Sequence, residues 1–247
     1  MEIREILAKS ILSKSQIYQY ALNPYVGCQH DCQYCYAKYM RRFTGHEERW
    51  GDFVDVKINA PELLAQEVKR KKPGRVWISG VCDPYQPLEE KYMLTRDCLS
   101  ILVENGWAFT IQTKSALVLR DMMTLVRSKD VEVGFTITTA DEKIRNIFEP
   151  CAPPISTRLA ALTDLHSKQI RTFAMIAPIL PGAENLVNAL KDKVDYVLLD
   201  RVNYHYADHT YKSHGLQWAS EHSFFSVKGK ELLMAFERSG MLCQKLF

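Results

Sequence analysis

Three cysteines, Cys28, Cys32 and Cys35, fall within eight residues of the stretch GCQHDCQYCYA, spaced C-x3-C-x2-C, and the next cysteine is Cys82. Thiolates at that density are metal or cluster ligands. A structural zinc site closes its shell with four protein ligands, usually from two separated clusters. Here there is one cluster, and His30 lies inside the same tight loop, awkwardly placed to complete it. An iron–sulfur cluster of four irons on three thiolates leaves one iron open to a small ligand, as catalytic metals require, whereas an electron-transfer ferredoxin fills every site. Zinc binding, simple electron transfer and an open catalytic cluster are the three readings these residues allow.

The rest of the composition narrows the setting. Seven cysteines is an odd number with three of them clustered, unlike a disulfide framework, so a reducing compartment is expected. The N-terminus, MEIREILAKSILSKS, is charged throughout and lacks a signal-peptide core. No apolar run approaches the ~20 residues of a membrane span, so the expected location is the cytoplasm with no membrane partner. The 247 residues are 47% hydrophobic and 25% charged, an ordinary globular balance. A formal charge of +3 leaves nucleic acid possible as a partner but does not by itself support it.

Elements to position the cysteines are legible as alternating patterns. Strands are expected at 20–27, 75–80, 107–113, 131–139, 171–179 and 196–203, with helices at 33–42, 61–71, 94–104, 117–127, 142–148, 156–167 and 183–190. Six βα units imply an α/β fold with a parallel sheet, a partial (β/α)6 TIM-type barrel; an open doubly wound sheet fits the pattern too. Function then belongs at the C-terminal strand ends, which read GC, SGVCDPYQP, TKS, TITT, APILPG and DRVNYHY. The expected organisation is one domain overall, with an N-terminal segment 1–20, a core 21–203 and a C-terminal, substrate-side segment 204–247.

The motif C-x3-C-x2-C with Tyr34 before its last cysteine resembles the signature of the radical SAM superfamily. NPYVGCQHDCQYCYA, DPYQPLE, LTRDCL, TKSALVLRD, TITTADE, EPCAPPISTRL and IAPILPGAEN are similar to the spore photoproduct lyase-like branch, DNA repair photolyase-like enzymes. Cys82 stands where that branch is expected to carry threonine. The resemblance implies a [4Fe-4S] cluster on Cys28, Cys32 and Cys35, with S-adenosyl-L-methionine on the open iron. Reductive cleavage would give a 5′-deoxyadenosyl radical that abstracts hydrogen from an unidentified substrate, the electron arriving from a donor such as flavodoxin or ferredoxin.

The same resemblance assigns roles. Tyr34 leans on the adenine, and Tyr36 supports the base or packs beside the cluster. Ser79 and Gly80 receive the methionine amino group. Lys114, assisted by Ser115, faces the methionine carboxylate, and Thr138 donates to ribose or carboxylate. Arg158 resembles a SAM-contacting arginine, the competing reading being a surface ion pair. Ile179 and Gly182 offer backbone groups to the base edge. Asp83 binds substrate or stays in its turn. Cys82 is a candidate hydrogen donor or substrate contact, against the plainer reading of a small buried residue.

The His- and Tyr-rich stretch 203–225 is read as a substrate-facing cap rather than a second metal site. Two readings compete with radical chemistry on an unidentified substrate: repair of a DNA lesion, and a non-enzymatic iron–sulfur or zinc module.

Overall fold

The computed structural model describes residues 1–247. Eleven strands form: β1 (Glu2–Ile6), β2 (Leu12–Lys14), β3 (Tyr20–Leu22), β4 (Tyr25–Val26), β5 (Phe53–Lys57), β6 (Val76–Ile78), β7 (Phe109–Thr113), β8 (Val131–Thr136), β9 (Arg171–Ile176), β10 (Tyr196–Leu199) and β11 (Leu242–Lys245). The α-helices are α1 (Ala60–Glu67), α2 (Leu88–Tyr92), α3 (Leu94–Glu104), α4 (Met122–Arg127), α5 (Glu142–Phe148), α6 (Ile155–Ser167), α7 (Leu186–Leu190), α8 (Asp208–Ser213) and α9 (His222–Arg238). Eight strands make one open sheet in the order β11-β10-β9-β8-β7-β6-β3-β2, and β1-β5-β4 make a second. This is the α/β, mostly parallel, partial TIM-type class that alternating strands and helices predict. The six expected strands occupy consecutive places in the sheet, from β10 to β3.

The chain divides into two compact units, Met1–His30 with Ala37–Val133, and Asp31–Tyr36 with Gly134–Phe247. In the first, β3, β6 and β7 run parallel in a register that aligns Leu22 with Ile78 and Ile78 with Ile111. Their side chains are fully buried with Leu99 and Leu102 of α3. Each such side chain contributes roughly 1.5–3 kcal/mol, which fixes the register and sets the strands' C-terminal ends side by side. In the second unit β9, β10 and β11 are parallel, aligning Ile176 with Leu199 and Leu199 with Lys245. Gly134 of β8 is a glycine by necessity, since a Cβ there would sit 2.1 Å from the Phe173 ring.

Three expectations are corrected. The strand 20–27 breaks after Leu22, and β4 joins the other sheet, antiparallel to β5. Pro24, which lacks an amide hydrogen, falls at the break. The helix expected over 33–42 forms as a 3₁₀ helix that begins only after the cysteines, at Tyr36–Phe43. The third concerns α2, α8, α9, β1, β2, β5 and β11, which the periodicity did not announce. Gly229 lowers the helix propensity of α9, yet that glycine lets the Phe247 ring approach to where a Cβ would be 2.8 Å away.

Candidate active site

The first unit contributes the entrance to the cysteine loop and the strand ends beside it. Gly27 turns the chain out of β4 with φ +93°, and a Cβ there would lie 2.2 Å from the Phe53 carbonyl oxygen. Only glycine meets both conditions. Gln86 then clamps the loop: its side-chain amide donates to Gly27 O at 3.2 Å, and its carbonyl accepts from Gln29 N at 3.0 Å. Gln29 returns the bond, accepting from Leu88 N at 2.7 Å.

Asp83 is buried and holds four partners. His30 Nε2 lies 3.2 Å from one oxygen, Lys114 N donates to that same oxygen at 2.8 Å, and Thr113 Oγ1 and Tyr85 N donate to the other at 2.6 and 2.9 Å. Burial alone would raise this carboxyl, but the His30 imidazole and the donors outweigh it and bring its pKa down to about 2. Asp83 therefore stays in its turn. His30, weighed from sequence as a zinc ligand, faces Asp83.

Ser79 follows β6 with φ +60°, an uncommon conformation for a residue with a Cβ. Its Oγ is buried and accepts no hydrogen bond, with the Cys82 thiol beside it. A Cβ added at Gly80 would meet nothing within 4 Å, so this strand end opens onto free space. Cys82 is partly buried, and its thiol donates to Tyr25 O at 3.4 Å. Burial pushes its pKa up to about 12. Lys57, at the end of β5, donates to Asn23 O at 2.9 Å, and its ammonium is lowered by burial. The Lys114 side chain is half-buried, while Ser115 Oγ accepts from Leu117 N at 3.2 Å and caps the next 3₁₀ turn.

The second unit holds the remainder of the loop. Cys35 N donates to Cys32 O at 3.1 Å, and Gln33 N to Phe148 O at 2.8 Å, which ties the loop to the end of α5. The Tyr34 hydroxyl bonds Glu149, and burial, then Glu149, raises its pKa. Thr138 Oγ1 donates to the same Glu149 oxygen at 3.0 Å. Arg158, fully buried, pairs with the other at 2.6 Å and donates from NH1 to Thr136 O at 3.0 Å and from NH2 to Pro153 O at 2.7 Å. The surface ion pair is thus replaced by a buried one, the kind that costs 3–5 kcal/mol when one partner is removed.

Of the backbone groups after β9, Ile179 N donates to Asp200 O at 3.0 Å, and Gly182 O accepts from Ala140 N at 3.3 Å. Tyr36 opens the 3₁₀ helix with its side chain 47% exposed. Glu149 and Gln86 escaped the sequence reading, although EPCAPPISTRL and DPYQPLE contain them. A lone Glu or Gln carries no sign of a partner far away in sequence.

Comparison with known proteins agrees with this architecture. Residues 22–190 match the model of the radical SAM superfamily, and the chain belongs to that superfamily. It is 33% identical over 208 residues to an uncharacterized protein, MJ0683, of Methanocaldococcus jannaschii, covering 82% of this chain and 78% of the relative. An uncharacterized protein of Mycobacterium bovis, Mb2609c, is 30% identical over 72% of this chain and 56% of its own length. Among solved structures, spore photoproduct lyase complexed with dinucleoside spore photoproduct superposes with TM-score 0.71 at 14% identity, over 98% of this chain and 82% of that one. Streptococcus suis SuiB bound to S-adenosylmethionine gives 0.58 at 15% identity, over 92% and 50%.

The protein is a radical SAM enzyme whose cofactors are a [4Fe-4S] cluster and S-adenosylmethionine, acting on a further substrate. No helix is long and apolar enough to cross a membrane.

Proposed function

We propose that Cys28, Cys32 and Cys35 ligate three irons of the cluster, and that Ser79, Gly80, Lys114 and Thr138 seat S-adenosylmethionine at the fourth. The observation that carries this reading is the end of β6, where Ser79 at positive φ, its buried hydroxyl next to the Cys82 thiol, stands beside the open space at Gly80. A buried hydroxyl oxygen that accepts no hydrogen bond has room for a donor, and an ammonium group supplies one. The donor set fits too, since three thiolates in one loop suit a cluster with an open iron.

When bound, the cluster supplies the electron that splits S-adenosylmethionine into methionine and a 5′-deoxyadenosyl radical, which takes hydrogen from substrate. The chain's own residues orient the reactants. Asp83 fixes the backbone of Lys114, whose cationic side chain would meet a carboxylate, and Ser115 holds the turn after it as a cap. Glu149 anchors the Tyr34 hydroxyl, which fixes the ring's orientation for an adenine. Arg158 holds Glu149 in place and acts on the ligand through it. Ile179 O and Gly182 N remain as the groups of their turn able to meet a base edge, and Tyr36 has one exposed face to offer. Cys82 keeps its S–H bond at neutral pH, the protonation state that a hydrogen-atom donor needs. The electron comes from a carrier such as flavodoxin or ferredoxin, in the cytoplasm. The substrate is not named by fold.

The test is anaerobic. Protein reconstituted with iron and sulfide, reduced with dithionite and given S-adenosylmethionine is expected to release 5′-deoxyadenosine, and the Cys32→Ala variant to release none. An intact four-iron cluster in Cys28→Ala, Cys32→Ala or Cys35→Ala would break the ligand assignment. An EPR spectrum of the reduced cluster that ignores added S-adenosylmethionine would break the assignment of S-adenosylmethionine to the open iron.

A further inference from the structure

The His- and Tyr-rich stretch after β10 packs against the cysteine loop. Ala207, Tyr211 and Ala219 share one buried cluster with Phe148 and Leu180, and Tyr34 and Phe224 pack onto it. The Phe148 and Tyr211 ring centroids are 4.7 Å apart. Ile179 N, in the turn assigned above to the adenine edge, donates to Asp200 O, and Arg201 is the next residue.

A cavity of about 250 Å³ opens at this end of β10, and Arg201, Tyr204, His205, Asp208, His222 and Phe225 are among its lining. Its volume is that of roughly eight waters, room for a small molecule or the end of one. No group of three His, Cys, Asp or Glu side chains could hold a metal ion there. The carboxylates around it are engaged. Asp208 faces His205 at 3.1 Å, Asp200 accepts from Arg201 N at 2.8 Å and Asn203 Nδ2 at 3.1 Å, and Glu221 accepts from Ser223 Oγ at 3.2 Å.

The Arg201 guanidinium meets an imidazole instead, NH1 donating to His222 Nδ1 at 3.2 Å. A guanidinium only donates, so the hydrogen of this imidazole sits on Nε2 and the pair's positive charge has no counter-ion. Nε2–H and the remaining guanidinium hydrogens suit the oxygens of an anion. Beside them the Tyr204 ring, 47% exposed, stacks on Tyr206 with centroids 5.6 Å apart and planes at 17°.

We propose that Arg201, His222 and Tyr204 form a substrate subsite for a small molecule that carries an oxyanion, carboxylate or phosphate, next to a planar group. Arg201 and His222 hold the oxyanion and Tyr204 the planar part. This rests on the radical SAM reading above and names the substrate class of that site.

The probes are benzoate, phenyl phosphate and the neutral benzamide, with their dissociation constants for the cluster-loaded protein measured anaerobically by ligand-observed NMR. One of the two anions is expected to bind wild type about tenfold more tightly than benzamide, and which one it is tells carboxylate from phosphate. Arg201→Gln should lose about that tenfold, and Arg201→Lys should keep part of it. Tyr204→Ala should weaken the aromatic anion and leave acetate or inorganic phosphate unaffected. Arg201 and Tyr204 are exposed, so these variants should fold. Lys230→Glu, an exposed charge change on α9, leaves every value unchanged. The saturating anion should also change the rate of dithionite-driven S-adenosylmethionine cleavage in wild type and not in Arg201→Gln.

Equal affinity for all three probes, or wild-type affinity in Arg201→Gln, would overturn the proposal. An anion that binds through Arg201 yet leaves cleavage unchanged would overturn it too, by setting the cavity apart from the substrate. Duplex DNA binding that Arg201→Gln abolishes, with neither small anion bound, would replace it with a nucleic-acid surface. Failure of dithionite-driven cleavage by fully loaded wild type would sink the proposed function instead, with the probe affinities still reading the subsite.

Discussion

At the scale of single residues, burial separates the cysteines that lie outside the loop. Cys151 is exposed, Cys82 is raised to about 12 and Cys98, mid-helix and fully buried, is raised well above the usual thiol value. The thiolate is the form that alkylates, and burial keeps Cys82 in its protonated form at pH 8. Iodoacetamide is expected to label Cys151 far faster than Cys82 or Cys98, as peptide mass spectrometry would report; comparable rates would contradict the burial. A Cys82→Ala variant is expected to keep its cluster and cleave S-adenosylmethionine, but to turn over substrate poorly if the thiol delivers hydrogen. Asp83 acts differently, through position. Asp83→Asn keeps the shape and loses the charge that faces His30, so iron content after reconstitution should fall without loss of fold, measured by iron assay beside circular dichroism.

At the scale of elements, the buried pair Arg158–Glu149 joins α6 to the end of α5, with Tyr34 and Thr138 on the same carboxylate. Arg158→Met leaves Glu149 buried without its cation, and unfolding in urea should report a loss of roughly 3–5 kcal/mol. If the pair serves only stability, Tyr34→Phe should leave S-adenosylmethionine affinity unchanged. If Glu149 orients the ring, affinity falls while stability changes little. Gly27→Ala belongs here too. Its Cβ would strike the Phe53 carbonyl across β5, so the entrance to the loop must shift and cluster loading should fail at near-native secondary structure.

At the scale of the whole molecule, much of the chemistry was legible in the amino acids because it is local. Three thiolates in eight residues and the alternation of apolar runs announced a cluster and an α/β sheet, and five of the six expected strands formed within their expected ranges, the sixth breaking after Leu22. A ligand that binds only the folded form should raise its stability. At a hundredfold excess over its Kd, S-adenosylmethionine is expected to contribute about 2.7 kcal/mol to the cluster-loaded protein, a rise of roughly 5–10 °C by anaerobic calorimetry. What sequence by itself determined was the ligand chemistry and the order of the elements, since both depend on neighbours in the chain. Tertiary structure alone decided that Asp83 faces His30, that Gln86 clamps Gly27, that Glu149 gathers Tyr34, Thr138 and Arg158, and that Gly229 makes room for Phe247. Three of these six pairs are more than fifty residues apart in the chain and the other three between nine and eighteen, and their side chains signal nothing until strand register and helix packing bring them within hydrogen-bond or van der Waals distance.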